Sequence, residues 1–380
     1  MHVRLACAII LLLQLSPACF AFPQQSSQIG APVSDRDKAG LRGPLKKVLV
    51  ENTFSGAGGQ QFVTTTTTEY APDGRTLEVR YGNPDGSEWV TSRTYDSDGC
   101  LLKTVSGKAG AAPSSDMTYS YDKERRLVGV KSGDNTQIRY QYDDKGRKSA
   151  VESYDSRPLA PGTAYAPQWE GTDMGFAPSP GGTLTTSYNE EGVATGAQSR
   201  DANGNLVGHI VRKFDAKGQI LSEEQVADAP ESMIPEEMRS KLNPEQAKSV
   251  GAFIAGGMLN SAISYSYDSN GRVTERRRTG GAFGEEVTVT TYNDHGDKAS
   301  ERTTTVRNPE FGIEYNLTEA GAMIPAGHPQ PAEPPDTHET QYTYQYDDHG
   351  NWTEQTIVSR SRPDAAWGPG TMHRRKLTYY

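Results

Sequence analysis

Tyr265-Ser266-Tyr267-Asp268-Ser269-Asn270-Gly271-Arg272-Val273-Thr274-Glu275 carries the reading of the whole chain. Its first half alternates tyrosine and serine, which sets the rings on one face of an extended strand and the hydroxyls on the other. Asp-x-x-Gly then supplies an acid for the first position of a type I turn and a glycine where φ must be positive. That is the chemistry of a three-residue hairpin loop with a bulge. Alternation resumes at Val273, so this stretch describes one β-hairpin.

The phrase recurs along the chain. Full copies stand at Tyr95-Asp96-Ser97-Asp98-Gly99, Tyr142-Asp143-Asp144-Lys145-Gly146-Arg147, Tyr188-Asn189-Glu190-Glu191-Gly192 and Phe214-Asp215-Ala216-Lys217-Gly218-Gln219. Two more are Tyr292-Asn293-Asp294-His295-Gly296 and Tyr346-Asp347-Asp348-His349-Gly350-Asn351. Degenerate copies begin at Tyr70, Tyr121 and Arg200. Aromatic positions are 21–26 or 46–54 residues apart, so each long step holds an eroded repeat or an insertion of about one repeat. A lone hairpin is marginal in water and must stack on neighbours to bury its aromatic face. The expected fold is mainly β: a long twisted antiparallel sheet of stacked hairpins, coiled or partly closed, with a short helical insertion.

Composition agrees with a thin core. On the count that includes Gly and omits Tyr, about 39% of the 380 residues are apolar, below the roughly 45–50% of an ordinary globular chain. Tyr outnumbers Phe 19 to 9 and has to supply the missing apolar area. The net charge of −9 disfavours nonspecific nucleic-acid binding through a basic surface.

Residues 1–21 read as a secretory signal. Arg4 precedes an apolar run from Leu5 to Leu15, and Cys19-Phe20-Ala21 is a small-x-small cleavage site, with cleavage expected after Ala21. The alternative is a lipoprotein acylated at Cys19. The apolar run is far short of the roughly 20 residues of a membrane-spanning helix, so no transmembrane segment is expected. The protein is therefore expected to be exported, periplasmic or extracellular. Cys7 and Cys19 lie in the signal, leaving Cys100 with no partner for a disulfide.

A flexible segment, 22–36, precedes a β domain over 37–380 with three insertions. Residues 156–182 are rich in Pro, Gly and aromatics, and 308–337 look extended. Within 228–262, Asn243-Pro244-Glu245-Gln246 has an N-cap, Pro at the first helical position and Gln at the capping-box position. Val250, Phe253, Ile254, Gly257 and Met258 then fall on one helical face, predicting a short and a longer helix packed on the sheet.

The recurring phrase with its alternating tyrosines resembles the YD repeat of the RHS and wall-associated protein families, over roughly residues 65–380. Asp37 to Val50 looks like the opening strand of small exported members, and Arg375-Lys376-Leu377-Thr378-Tyr379-Tyr380 like a closing strand. The resemblance implies a β-rich scaffold outside the cell, associated with carbohydrate binding or, in large members, with a shell around a toxin. A shell function is not expected of this chain, which carries no toxin domain after its last repeat.

Motifs for catalysis are missing from the sequence. No HExxH, GxSxG, P-loop or strand-helix GxGxxG occurs, so no catalytic, cofactor-binding or metal residues are assigned and no cofactor is expected. Asp143-Asp144 and Asp347-Asp348 could flank a glycosidic bond as a hydrolase would require, but their regular place at hairpin tips favours turn chemistry. Asp201-Ala202-Asn203-Gly204-Asn205 starts like a calcium loop and lacks the later ligands. The leading expectation is a non-catalytic scaffold binding a glycan or cell-envelope partner. A cell-envelope hydrolase and a purely structural surface protein are the alternatives. Sugar rings stack on exposed aromatics, and the rings least needed by the sheet are Tyr165, Trp169 and Phe176 in the first insertion and Trp367 near the C-terminus.

Overall fold

The computed structural model describes residues 34–55, 60–133, 135–154, 182–234, 236–256, 260–280, 284–308, 315–318, 323–325 and 334–380. The signal and its Cys19 alternative lie outside them, as do Tyr165, Trp169 and Phe176. Helix α1 (Asp35–Lys38) precedes β1 (Leu45–Ser55), β2 (Gln61–Tyr70), β3 (Thr76–Gly82), β4 (Glu88–Tyr95) and β5 (Leu101–Lys108). Strands β6 (Ser115–Tyr121), β7 (Leu127–Ser132), β8 (Asn135–Tyr142) and β9 (Lys148–Tyr154) follow. Next come β10 (Thr183–Tyr188), β11 (Ala194–Arg200), β12 (Leu206–Phe214) and β13 (Ile220–Ala227). A 3-10 turn (Pro230–Met233), α2 (Glu236–Arg239) and α3 (Pro244–Ile254) interrupt the strands. The chain continues with β14 (Ser261–Tyr267), β15 (Val273–Gly280), β16 (Glu285–Tyr292) and β17 (Lys298–Val306). Short β18 (Tyr315–Leu317) and β19 (Met323–Pro325) pair with each other. Strands β20 (Asp336–Tyr346), β21 (Trp352–Arg360) and β22 (Thr371–Tyr379) end the chain.

Pairing runs in chain order from β1 to β17, passes to β20, continues through β21 and β22, and returns to β1. Twenty strands form one closed antiparallel sheet, a β-barrel by connectivity. This corrects the expectation of a coiled or partly closed sheet. The physical reason lies at the two ends of the chain, where β1 and β22 would each expose a row of unpaired backbone groups. They satisfy each other over a register running from Leu45↔Tyr379 to Thr53↔Met372.

Each turn of the repeated phrase is built alike. At Asp143 the backbone N–H donates to the Arg147 carbonyl at 2.9 Å, and the Gly146 N–H donates to the Asp143 carbonyl at 2.9 Å. Asp143 Oδ1 accepts the N–H groups of Lys145 at 3.0 Å and Arg147 at 2.9 Å. Asp268 and Asp347 repeat this pattern, and Asn189 and Asn293 achieve it with an amide oxygen. Gly146 has φ +77°, a left-handed conformation that a side chain disfavours. The copy at Tyr121 has Arg125 there at φ +64°, and Arg125 reaches back to Asp96 and Asp98 of the preceding turn.

The tyrosine that opens the phrase ties one hairpin to the one before. Tyr95 donates its hydroxyl to the Thr76 carbonyl at 2.7 Å, Tyr121 to Leu101 at 2.9 Å, Tyr142 to Leu127 at 2.8 Å and Tyr267 to Ile220 at 2.7 Å. In each case the acceptor stands two residues after the turn glycine of the preceding copy, or after Arg125 in its place. The phrase's arginine completes the lock: Arg126 forks onto Asp122 while stacking 4.7 Å over the Tyr142 ring.

The chain divides into two compact units. In the unit of Ser153–Val289 and Arg302–Thr337, Leu184, Ala197, Ile210 and Ile263 form the apolar core. There the buried Arg212 Nε donates to Glu223 at 2.7 Å, and Tyr265 donates to the same carboxylate at 2.7 Å. Helix α3 has the Asn243–Gln246 capping box read from the sequence; its Val250 and Gly251 are buried, and Gly251 lies against Glu231 of the 3-10 turn. In the unit of Phe22–Glu152, Thr290–Glu301 and His338–Tyr380, the core is Leu41, Leu45, Val48 and Tyr70.

Candidate functional site

Residues directly opposite in a ladder share a face, so the register of the second unit assembles a surface. Phe54 on β1 faces Phe62 on β2, their rings stacked at 5.7 Å. Along the same face, Val50 is opposite Thr66, Thr66 opposite Tyr81, and Tyr81 opposite Trp89. Phe54, Tyr81 and Trp89 are 39%, 42% and 43% exposed, so these rings are not filling the core.

Between the two aromatic rows lies a polar one. Asn52 pairs with Thr64 and with His373 of β22; His373 Nδ1 is 2.5 Å from Asn52 Oδ1, and Asn52 Nδ2 donates to Thr64 Oγ1 at 3.5 Å. Burial, then the charge of Arg375, holds the His373 imidazole below its usual value of 6.5. It is thus neutral near pH 7, able to donate and accept. Lys108, opposite Trp89, and Arg375, opposite Val50, put a cation at either end of the Val50–Thr66–Tyr81–Trp89 row. Four strand gaps separate Arg375 from Trp89, about 19 Å at 4.8 Å per gap. Flat rings beside hydrogen-bonding groups suit a ligand with both apolar faces and hydroxyls.

Of the ring residues singled out from the sequence, only Trp367 is described. It is half-buried, with the Arg360 guanidinium 4.6 Å from its ring centre and Glu339 holding Arg360, so its ring is stacked under a cation. Sequence reading missed Phe54, Phe62, Tyr81 and Trp89. The signal was there in Tyr81-Gly82-Asn83-Pro84-Asp85-Gly86-Ser87-Glu88-Trp89, where two aromatics flank a turn symmetrically.

The acidic tips are occupied by their own turns. Asp143 is held below the ordinary carboxylate range by the Arg147 side chain and then its backbone N–H, the opposite of what a general acid needs. Asp347 is likewise lowered: burial works against ionisation, but hydrogen bonds from Tyr379, Asn351 and His349 outweigh it. Asp201 spends its carboxylate on Asn203 and Asn205. Among the described residues no cluster of three His, Cys, Asp or Glu is placed to hold a metal ion. No helix among them is long and apolar enough to cross a membrane.

No family model matches the chain, and no curated protein matches it. Solved structures that match include a porin-like protein from Bacteroides uniformis, at 12% identity over 89% of this chain and 98% of that one, with a TM-score of 0.30. Another is a porin-like protein from Bacteroides vulgatus, at 11% identity over 88% and 98%, with a TM-score of 0.22. Likeness at this level carries no functional argument for the chain.

Proposed function

We propose that the chain is an exported, non-catalytic scaffold of YD-repeat type that binds a glycan, free or on an envelope partner, on the aromatic face of β1–β4. Its carrying observation is the exposed Tyr81–Trp89 pair, directly opposed across β3 and β4 in the row beside the Asn52–His373 polar row. A pyranose stacks its apolar face on exposed rings and directs its hydroxyls to neighbouring donors and acceptors. Export follows from the reading of residues 1–21 as a signal and agrees with Cys100 as the sole mature cysteine. The tyrosines of the repeat belong to the scaffold, since their hydroxyls join successive hairpins.

The test is affinity electrophoresis and calorimetry of the full mature chain against envelope polysaccharides and their oligosaccharides. Trp89→Ala and Tyr81→Ala are expected to weaken retention at least tenfold while leaving Tm unchanged, because both rings are exposed. Retention that survives both substitutions, or a panel with no retained glycan, sinks the reading.

A further inference from the structure

The second unit sorts its charges by face. Across β1–β6 the register sets Glu51, Glu69, Glu78, Glu88 and Asp116 on one side of the sheet and Phe54, Tyr81 and Trp89 on the other. These are all the acids of the six strands, so the aromatic side carries no strand carboxylate. Each is also engaged on its own side. Glu51 pairs with Lys376 at 3.0 Å, Glu69 with Lys47 at 3.1 Å, and Asp116 with Lys103 at 3.0 Å. Arg80 holds Glu78 at 2.6 Å and Glu88 at 3.5 Å.

Two cations of β4 and β5 stand on the aromatic side. Arg93 pairs with Asp35 of α1 at 3.0 Å. Lys108, the partner of Trp89 across the β4–β5 ladder, is exposed and makes no ion pair among the described residues. Its charge acts on Asp85 of the adjoining tip, whose carboxylate already accepts the Ser87 N–H at 2.9 Å and hydroxyl at 2.7 Å. One row along the strands on the same face, Thr91, Ser106 and Ser115 are successive partners, the first two hydroxyls 2.9 Å apart. Three adjoining strands thus present Tyr81, Trp89 and Lys108 in line, with hydroxyls beside them.

A solvated surface lysine means little by itself, and its place in the ladder gives it weight. Neighbouring ladder positions are about 4.8 Å apart, close to the width of a pyranose ring, so a sugar stacked on Trp89 brings a substituent on its outer ring carbon to Lys108. An ammonium there attracts an oxyanion, and a face cleared of carboxylates neither competes for it nor repels its ligand. The chain's net charge of −9 offers polyanions no general attraction, which makes the preference local. A hexuronate carries its carboxylate directly on a ring carbon, whereas a sulfate ester stands one oxygen further out. The geometry points to an acidic saccharide as the occupant of this face: a hexuronate stacked on Tyr81 and Trp89, its carboxylate on Lys108 and its ring hydroxyls toward Thr91 and Ser106. This inference rests on the glycan reading and adds the charge of the sugar.

Calorimetric titration of the full mature chain with oligomers of galacturonate and mannuronate, their neutral methyl esters and dextran sulfate, at fixed ionic strength, tests it. At least one uronate oligomer is expected to bind at least tenfold more tightly than its ester, the worth of one charged contact. Lys108→Met should abolish that preference and Lys108→Arg retain it, while Lys103→Met, on the opposite side, should leave it intact. Equal affinity for acid and ester, both lost on Trp89→Ala, overturns the charge assignment and leaves the glycan reading standing. Absence of binding by every uronate oligomer, tighter binding of dextran sulfate, or a preference that survives Lys108→Met overturns the inference as well.

Discussion

At the residue scale, each position of the repeated phrase has a separate physical task. The acid gathers turn N–H groups, the glycine accepts a left-handed backbone, the arginine forks back onto the acid, and the tyrosine hydroxyl binds the preceding hairpin. Phe214 shows that the ring alone suffices for the fold position but not for the interlock, having no hydroxyl to donate. Tyr142→Phe isolates that bond, because the ring and its contact with Arg126 remain. Losing the 2.8 Å bond to the Leu127 carbonyl is expected to cost about 1 kcal/mol. Urea denaturation reads this as a lower midpoint at unchanged slope; an unchanged midpoint would mean that water replaces the hydroxyl. Such tasks were legible in the sequence where they are local, as with the Asp-x-x-Gly turns. The destination of each hydroxyl was not, since it lies 15–47 residues back in the chain.

At the scale of elements, the hairpins make the protein sensitive to acid. The Asp268 carboxyl is held below 3.8, chiefly by the Arg272 backbone N–H, and that of Asp201 chiefly by the Asn205 side chain. A carboxyl whose folded pKa is depressed stabilises the fold above the unfolded value, and that contribution fades as pH falls from 3.8 through the folded value. Unfolding midpoints should therefore decline gently below about pH 6.5, where His373 is protonated more readily in the unfolded chain, and drop more steeply below about pH 4, with Asp268→Asn flattening the second drop. The buried Arg212–Glu223 pair makes a different demand on β12 and β13. Glu223→Ala leaves a cation in the core and should cost about 3–5 kcal/mol, read by thermal melting. The capping box of α3 was legible because four adjacent residues define it. The aromatic face escaped because opposing Phe54 to Phe62 and Tyr81 to Trp89 needs cross-strand register, and the sequence search for ligand contacts followed Pro/Gly-rich insertions instead.

At the scale of the whole molecule, β15 and β22 carry charges on both faces, as in Glu275-Arg276-Arg277-Arg278 and Arg374-Arg375-Lys376. A lipid-facing barrel presents a continuous apolar band, which these strands interrupt. Closure itself rests on the clasp between the two ends of the second unit. Asn351 is almost fully buried; its side chain accepts the Arg42 N–H at 2.7 Å and donates to the Arg42 carbonyl at 2.8 Å and the Tyr379 hydroxyl at 2.9 Å. The Tyr380 N–H donates to Pro44 at 2.9 Å, and its hydroxyl to the Tyr70 carbonyl at 2.6 Å. Asn351→Ala strands several of these partners and should cost about 2–3 kcal/mol. Deleting residues 371–380 goes further, since it removes β22 and exposes the edges of β1 and β21 together. Exposed edges recruit other chains, so the truncated protein should lose its cooperative melt and run as aggregates in size-exclusion chromatography. A truncated chain that stays monomeric and melts like the full one would show that the ring does not need its seam, and that the hairpins hold one another through their tyrosines alone.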